Sequence, residues 1–105
     1  MRDYELIFIV QPELDDEGLN AVVERVEAII NGQGGEVSKT DPWGKRRLAY
    51  PIRRYQEGYY VRMEARLRPD SIREIEHDFG LTEALLRHLF VRMNEVSDVA
   101  SASSS

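Results

Sequence analysis

Cysteine is missing from this 105-residue chain, which removes disulfides, thiolate metal ligation and thiol nucleophiles together. Its absence fits a reducing compartment such as the cytoplasm. Histidine is nearly as scarce, with only His77 and His88. Neither has a His or Cys partner at ligand spacing, and Glu76 and Asp78 beside His77 read as a solvated helix face, so no metal site is expected. No long apolar run exists either: residues 6–10 form the longest, far too short to cross a bilayer. The opening Met1-Arg2-Asp3-Tyr4-Glu5 has neither the apolar core of a secretion signal nor the acid-poor helix of a transit peptide. The chain is therefore expected to start at its first strand. The glycines at 32, 34 and 35 are not followed by Gly-Lys-Ser or Gly-Lys-Thr. They come after a helical pattern and before a strand, so they read as a helix stop and not as a phosphate loop. With no nucleophile, base and metal to bring together, neither catalytic residues, a cofactor nor a small-molecule substrate is expected.

What the sequence does have is charge, unevenly spread. The net charge is −5, from 14 Lys+Arg against 19 Asp+Glu. Residues 1–41 carry 3 basic and 10 acidic side chains, residues 42–68 carry 8 and 2, and residues 69–105 carry 3 and 7. An acidic protein with one concentrated basic segment is no general polyanion glue. Its basic segment can sit against phosphate while the rest is repelled, which builds in an orientation.

Hydrophobic periodicity divides the chain into six elements of one small domain. Residues 4–10 alternate, with Tyr4, Leu6, Phe8 and Val10 on one face and Glu5, Ile7 and Ile9 on the other, as a central strand would. From Asp15 the period lengthens, and Leu19, Val22, Val23, Val26, Ile29 and Ile30 mark an amphipathic helix of about four turns capped by Asp15 or Asp16. Residues 36–40 and 45–52 form a long strand interrupted at Asp41-Pro42-Trp43-Gly44, and Pro51 within it points to a sheet edge. A connection over residues 53–58 leads to a return strand over 59–68, with Tyr59, Val61, Met63, Ala65 and Leu67 inward. A second helix follows, in which Ser71 and Glu74 have capping-box spacing and Ile72, Ile75 and Phe79 form the apolar stripe up to Gly80. The last strand, residues 85–93, sets Leu89, Val91 and Met93 against His88, Phe90 and Arg92. Ile7, Ile9, Tyr60 and Phe90 are expected on the helix-free side of the sheet, beside Glu5, Arg62, Glu64, Arg66 and Arg92. Residues 1–94 make the domain, and 95–105, rich in Ser, a flexible tail.

The order β-α-β-β-α-β closes most naturally as an α+β, ferredoxin-like (split β-α-β) fold, a four-stranded antiparallel sheet with two helices on one face. That fold hosts enzymes, ligand sensors and RNA binders alike. Acylphosphatase shares the order, but its phosphate-binding glycine loop is replaced here by Gln11-Pro12-Glu13-Leu14-Asp15. An RNA-recognition motif would place outward aromatics on the third strand, where only Tyr60 points outward, and on the first, which offers Glu5 and Ile7. The better signal is Lys45, Arg46, Arg47, Arg53 and Arg54 around Tyr50 and Tyr55. Such cations neutralise phosphates, and arginine or tyrosine planes stack on unpaired bases. The bland reading is an edge strand kept soluble by charge. The rival functional reading is a ligand-sensing or protein-docking module with no RNA role.

At Trp43-Gly44-Lys45-Arg46-Arg47-Leu48-Ala49-Tyr50-Pro51-Ile52 the chain resembles the signature of the bacterial small-subunit ribosomal protein six family. The resemblance extends through Met1-Arg2-Asp3-Tyr4-Glu5, Pro12, Gly58-Tyr59-Tyr60 and Leu86-Arg87-His88, covering residues 1 to about 95. It implies a non-catalytic ribosomal protein with the same ferredoxin-like fold, bound to the central domain of small-subunit ribosomal RNA as a heterodimer with protein eighteen of that subunit. Carried over, the RNA- or partner-facing positions are Arg2, Lys45, Arg46, Arg47, Tyr50, Arg53, Arg54 and Arg87. The short Ser-rich tail departs from the long acidic tails of some members.

Overall fold

In a computed structural model of the chain, residues 1–93 are described, so the expected tail lies outside the described residues. The elements run β1 (Arg2–Val10), α1 (Asp16–Gly32), β2 (Glu36–Ile52), β3 (Tyr55–Leu67), a 3₁₀ turn (Pro69–Ser71), α2 (Ile72–Gly80) and β4 (Leu85–Arg92). The four strands form one antiparallel sheet in the order β2-β3-β1-β4. This is the expected ferredoxin-like arrangement. It places β2, with Pro42 and Pro51, at an edge, where a missing ladder N–H is tolerated.

The core lies between the sheet and the helices. Leu6, Phe8 and Val10 from β1 and Val61, Met63 and Leu67 from β3 meet Val26, Ile29 and Ile30 of α1 and Ile75 and Phe79 of α2. Each such burial stabilises by about 1.5–3 kcal/mol relative to exposure. Helix α1 starts as expected, with Asp15 Oδ1 accepting from the Gly18 N–H at 2.8 Å. Helix α2 does not. Ser71 makes no side-chain cap bond; it is buried, has helical backbone angles, and its hydroxyl donates to the Arg68 carbonyl at 2.7 Å. The 3₁₀ turn draws Ser71 into the helical run, so the capping box is not formed.

Three further expectations are corrected. Strand β2 is continuous through Asp41-Pro42-Trp43-Gly44, because a register shift between Pro42 and Gly44 absorbs an extra residue and Gly44 takes φ +92°. The connection to β3 is only Arg53-Arg54, with Ile52 already opposite Tyr55. Strand β4 has the opposite facing from that expected for Phe90 and Arg92. Leu6 pairs with Phe90, Phe8 with His88 and Tyr4 with Arg92, and partners across an antiparallel ladder share a face. Phe90 therefore lies on the helix side, its ring stacked on Phe79 with centroids 6.0 Å apart, and His88 meets Glu76 of α2 at 2.9 Å. The helix-free face of β4 instead carries Arg87, Leu89 and Val91, opposite Ile9, Ile7 and Glu5.

Candidate nucleic-acid interface

The β2–β3 hairpin is longer than its neighbours and extends past the end of β1, since Val10 is already paired with Tyr59. Its far half bends over the helix-free face. Leu48 is buried there against Ile9, and Gly58 permits the approach: a Cβ at that residue would collide with Cγ2 of Ile9 and come within 3.2 Å of the Val10 carbonyl oxygen. A shallow cleft of about 160 Å³ between hairpin and sheet is lined by Ile9, Leu48, Tyr50, Ile52, Tyr60 and Arg87.

Strand alternation decides how the basic residues are displayed. Lys45 lies opposite Tyr59, with its ammonium 5.3 Å from that ring's centroid, which puts it on the helix side. Arg47, two residues on and opposite Glu57, follows it. Arg46 pairs with Gly58 and so faces the helix-free side, its guanidinium 5.6 Å from the centroid of Trp43. Lys45, Arg46 and Arg47 form no ion pair among the described residues. The triplet is thus one run of free cations along the outer edge, presented to both sides of it.

The remaining expected residues are more dispersed. Arg53 takes a positive φ of 55° at the first turn position, where glycine is usual. Its guanidinium donates to the Glu83 carbonyl at 2.7 Å and to the Leu85 carbonyl at 3.4 Å, fastening the hairpin tip to the α2–β4 connection. Arg54 is paired with Glu13 at 3.2 Å and stacks over Tyr55. Arg87 donates to the Tyr50 hydroxyl and lies 5.3 Å from that ring's centroid, joining β4 to the hairpin. Arg2 opens β1 opposite Leu67, at the other end of the sheet. At about 3.4 Å per residue it is some 27 Å from the Val10 end. The structure therefore brings Lys45, Arg46, Arg47, Tyr50 and Arg87 to one end of the sheet, puts Arg53 and Arg54 to work in the fold beside them, and leaves Arg2 apart.

On the rest of the helix-free face the guanidinium of Arg62 is held between two carboxylates. Arg62 donates to Glu64 at 2.8 Å and to Glu5, and these hydrogen bonds, that to Glu64 first, raise the guanidinium above its ordinary value. Ile7, Val91 and the exposed Leu89 surround this cluster. Two features escaped the sequence reading. Trp43, read as part of a break in the strand and as the first residue of the signature string but not as a site residue, is an exposed aromatic under Arg46. Leu89, read as one side of an alternating strand, is among the most exposed large apolar side chains, at 57%. The basic flank of Trp43 was a signal available in the sequence; for Leu89 there was none, because the facing of β4 is set by pairing.

No group of three or more His, Cys, Asp or Glu is placed to hold a metal among the described residues, and none of their helices is long and apolar enough to cross a membrane. The described surface thus combines a split β-α-β sheet, an edge of cations without ion pairs, and a face on which charge is paired among apolar side chains. Residues 3–92 match the family model described as ribosomal protein S6, and the chain belongs to that family. It is 41% identical over 95 residues to the small ribosomal subunit protein bS6 of Moorella thermoacetica, covering 90% of this chain and 97% of the relative. The bS6 protein of Caldanaerobacter subterraneus subsp. tengcongensis shows the same identity over 95 residues, covering 90% of this chain and all of the relative. The crystal structure of 30S ribosomal protein S6 from Thermotoga maritima superimposes with a TM-score of 0.84 at 28% identity, covering 99% of this chain and 98% of that one. The family is one of structural ribosomal proteins and not of enzymes.

Proposed function

We propose that the protein is a structural constituent of the small ribosomal subunit in the cytoplasm, binding the central domain of small-subunit ribosomal RNA cooperatively with ribosomal protein eighteen. The observation that carries the RNA contact is the run Lys45, Arg46 and Arg47, cations without ion pairs on the outer strand of a protein whose net charge is −5. Free cations can neutralise phosphates and release the counterions condensed on the RNA at no cost in broken ion pairs. Arg87 and Tyr50 stand at the same end, and Arg53 and Arg54 hold the hairpin in the shape that presents it. The protein partner is suited by the helix-free sheet face, where Arg62 is already neutralised by Glu5 and Glu64 and Ile7, Leu89 and Val91 offer apolar area. Arg2, at the far end of the same sheet, belongs to a separate contact.

An acidic protein with so few phosphate contacts binds RNA weakly alone. Paired with a basic protein, it presents a larger positive surface already in shape. The test measures binding to a central-domain RNA fragment with and without protein eighteen across a salt series. Tight binding is expected only with the partner, and it weakens when Lys45, Arg46 and Arg47 become Ala. Absence of binding under both conditions at low salt would overturn the reading.

A further inference from the structure

Trp43 is the only tryptophan in the chain, yet it belongs neither to the core nor to the side chains packed against it, and it is 38% exposed. Tryptophan is enriched at interfaces, where its ring packs on a partner and its N–H keeps a polar contact. Its position is well determined. The shift in register between Pro42 and Gly44, with Gly44 at φ +92°, turns the residue out of the regular pleat. The indole N–H donates to Asp41 Oδ2 at 3.2 Å, which fixes the ring's rotation, and Arg46 holds its guanidinium over the ring. Lys45 and Arg47 flank Arg46 in the same strand, on its opposite face, with no ion pairs of their own among the described residues.

An oriented indole, a guanidinium plane and free cations along one edge are the components with which proteins hold single-stranded nucleic acid. The aromatic takes a base by its π-face, and the cations take the backbone on either side of it. We propose that Trp43, positioned by Asp41 and Arg46, is a stacking site for one unpaired nucleobase of the RNA. This rests on the RNA-binding reading above and adds to it a base contact, where that reading invokes phosphate contacts alone. Stacking is tolerant of base identity, so the site favours an unpaired nucleotide over a paired one without selecting its sequence strongly. The Asp41 carboxylate, at the N–H edge of the indole, discourages a phosphate from that edge and leaves the ring to a base.

Two measurements test this. The first follows the fluorescence of the single tryptophan as the full-length protein is titrated at low salt with a short oligoadenylate, and separately with an abasic ribose-phosphate strand of equal length. Quenching by the oligoadenylate and little response to the abasic strand is expected; an equal response to both, or to neither, overturns the site. The second measures affinity for the central-domain fragment in the presence of protein eighteen. Trp43→Ala should weaken binding about tenfold or more with the salt slope unchanged, and Trp43→Phe should recover most of the loss. Unchanged affinity in Trp43→Ala, while the Lys45, Arg46 and Arg47 triple variant still loses binding, overturns the stacking site and leaves the RNA-binding reading standing. If the triple variant binds normally, the cationic-edge reading itself falls, and the stacking site with it.

Discussion

Two glycines of the β2–β3 hairpin show how one residue type meets different demands. At Gly58 the demand is space: an added Cβ would collide with Ile9 and crowd the Val10 carbonyl, and the backbone there has no positive φ. At Gly44 the surroundings are open within 4 Å, but φ is +92°. Both substitutions to Ala destabilise, for different reasons. Gly58→Ala is expected to cost about 1–3 kcal/mol by overpacking, and Gly44→Ala about 1–2 kcal/mol by backbone strain. Asn separates the two, since it tolerates left-handed backbone angles while adding bulk. In urea denaturation, Gly44→Asn should recover part of the loss seen with Ala, whereas Gly58→Asn should be worse than Gly58→Ala. The reverse order would show that the hairpin is not pressed onto β1 at this point.

Element boundaries can be read from periodicity, yet the contacts that end an element cannot. Asp15 caps α1 as its position suggests, because an acid just before an amphipathic run has the free N–H groups of the first turn in reach. Ser71 and Glu74 have the same promise on paper, but Pro69 starts a 3₁₀ turn and the Ser71 hydroxyl is committed to Arg68. The consequence is measurable: Glu74→Ala should leave stability within about 0.5 kcal/mol, and Ser71→Ala should cost about 1 kcal/mol through a lost hydrogen bond at a buried site. A loss near 1 kcal/mol in Glu74→Ala would show that the capping box forms in solution. Strand β4 had a legible period and an illegible facing. Leu89 and Val91 on one side and Phe90 on the other are nearly balanced in apolarity, and only pairing with β1 and the stacking of Phe90 on Phe79 decide between them. β1 and β3 were unambiguous because each has one fully apolar row.

Across the whole molecule, the sequence concentrates its positive charge in residues 42–68, and the fold then sorts those charges by what each already touches. The cluster was legible because it is local in the chain. Its division was not, since it depends on distant partners: Glu13 for Arg54, the Glu83 and Leu85 carbonyls for Arg53, Glu5 for Arg62. A cation already held by a carboxylate must surrender that pair to take a phosphate, and so contributes less to counterion release than a free one. The salt dependence of RNA binding should therefore distinguish them. Removing one phosphate contact changes the slope of log affinity against log salt by about 0.7–0.9. With the central-domain fragment and protein eighteen, Lys45→Ala and Arg47→Ala should each reduce the slope by roughly that amount. Arg54→Ala should reduce it by clearly less, since Glu13 already neutralises that guanidinium in the free protein. If Arg54→Ala changes the slope as much as Lys45→Ala does, the Glu13 pair must open on binding, and the hairpin tip then joins the phosphate-binding edge.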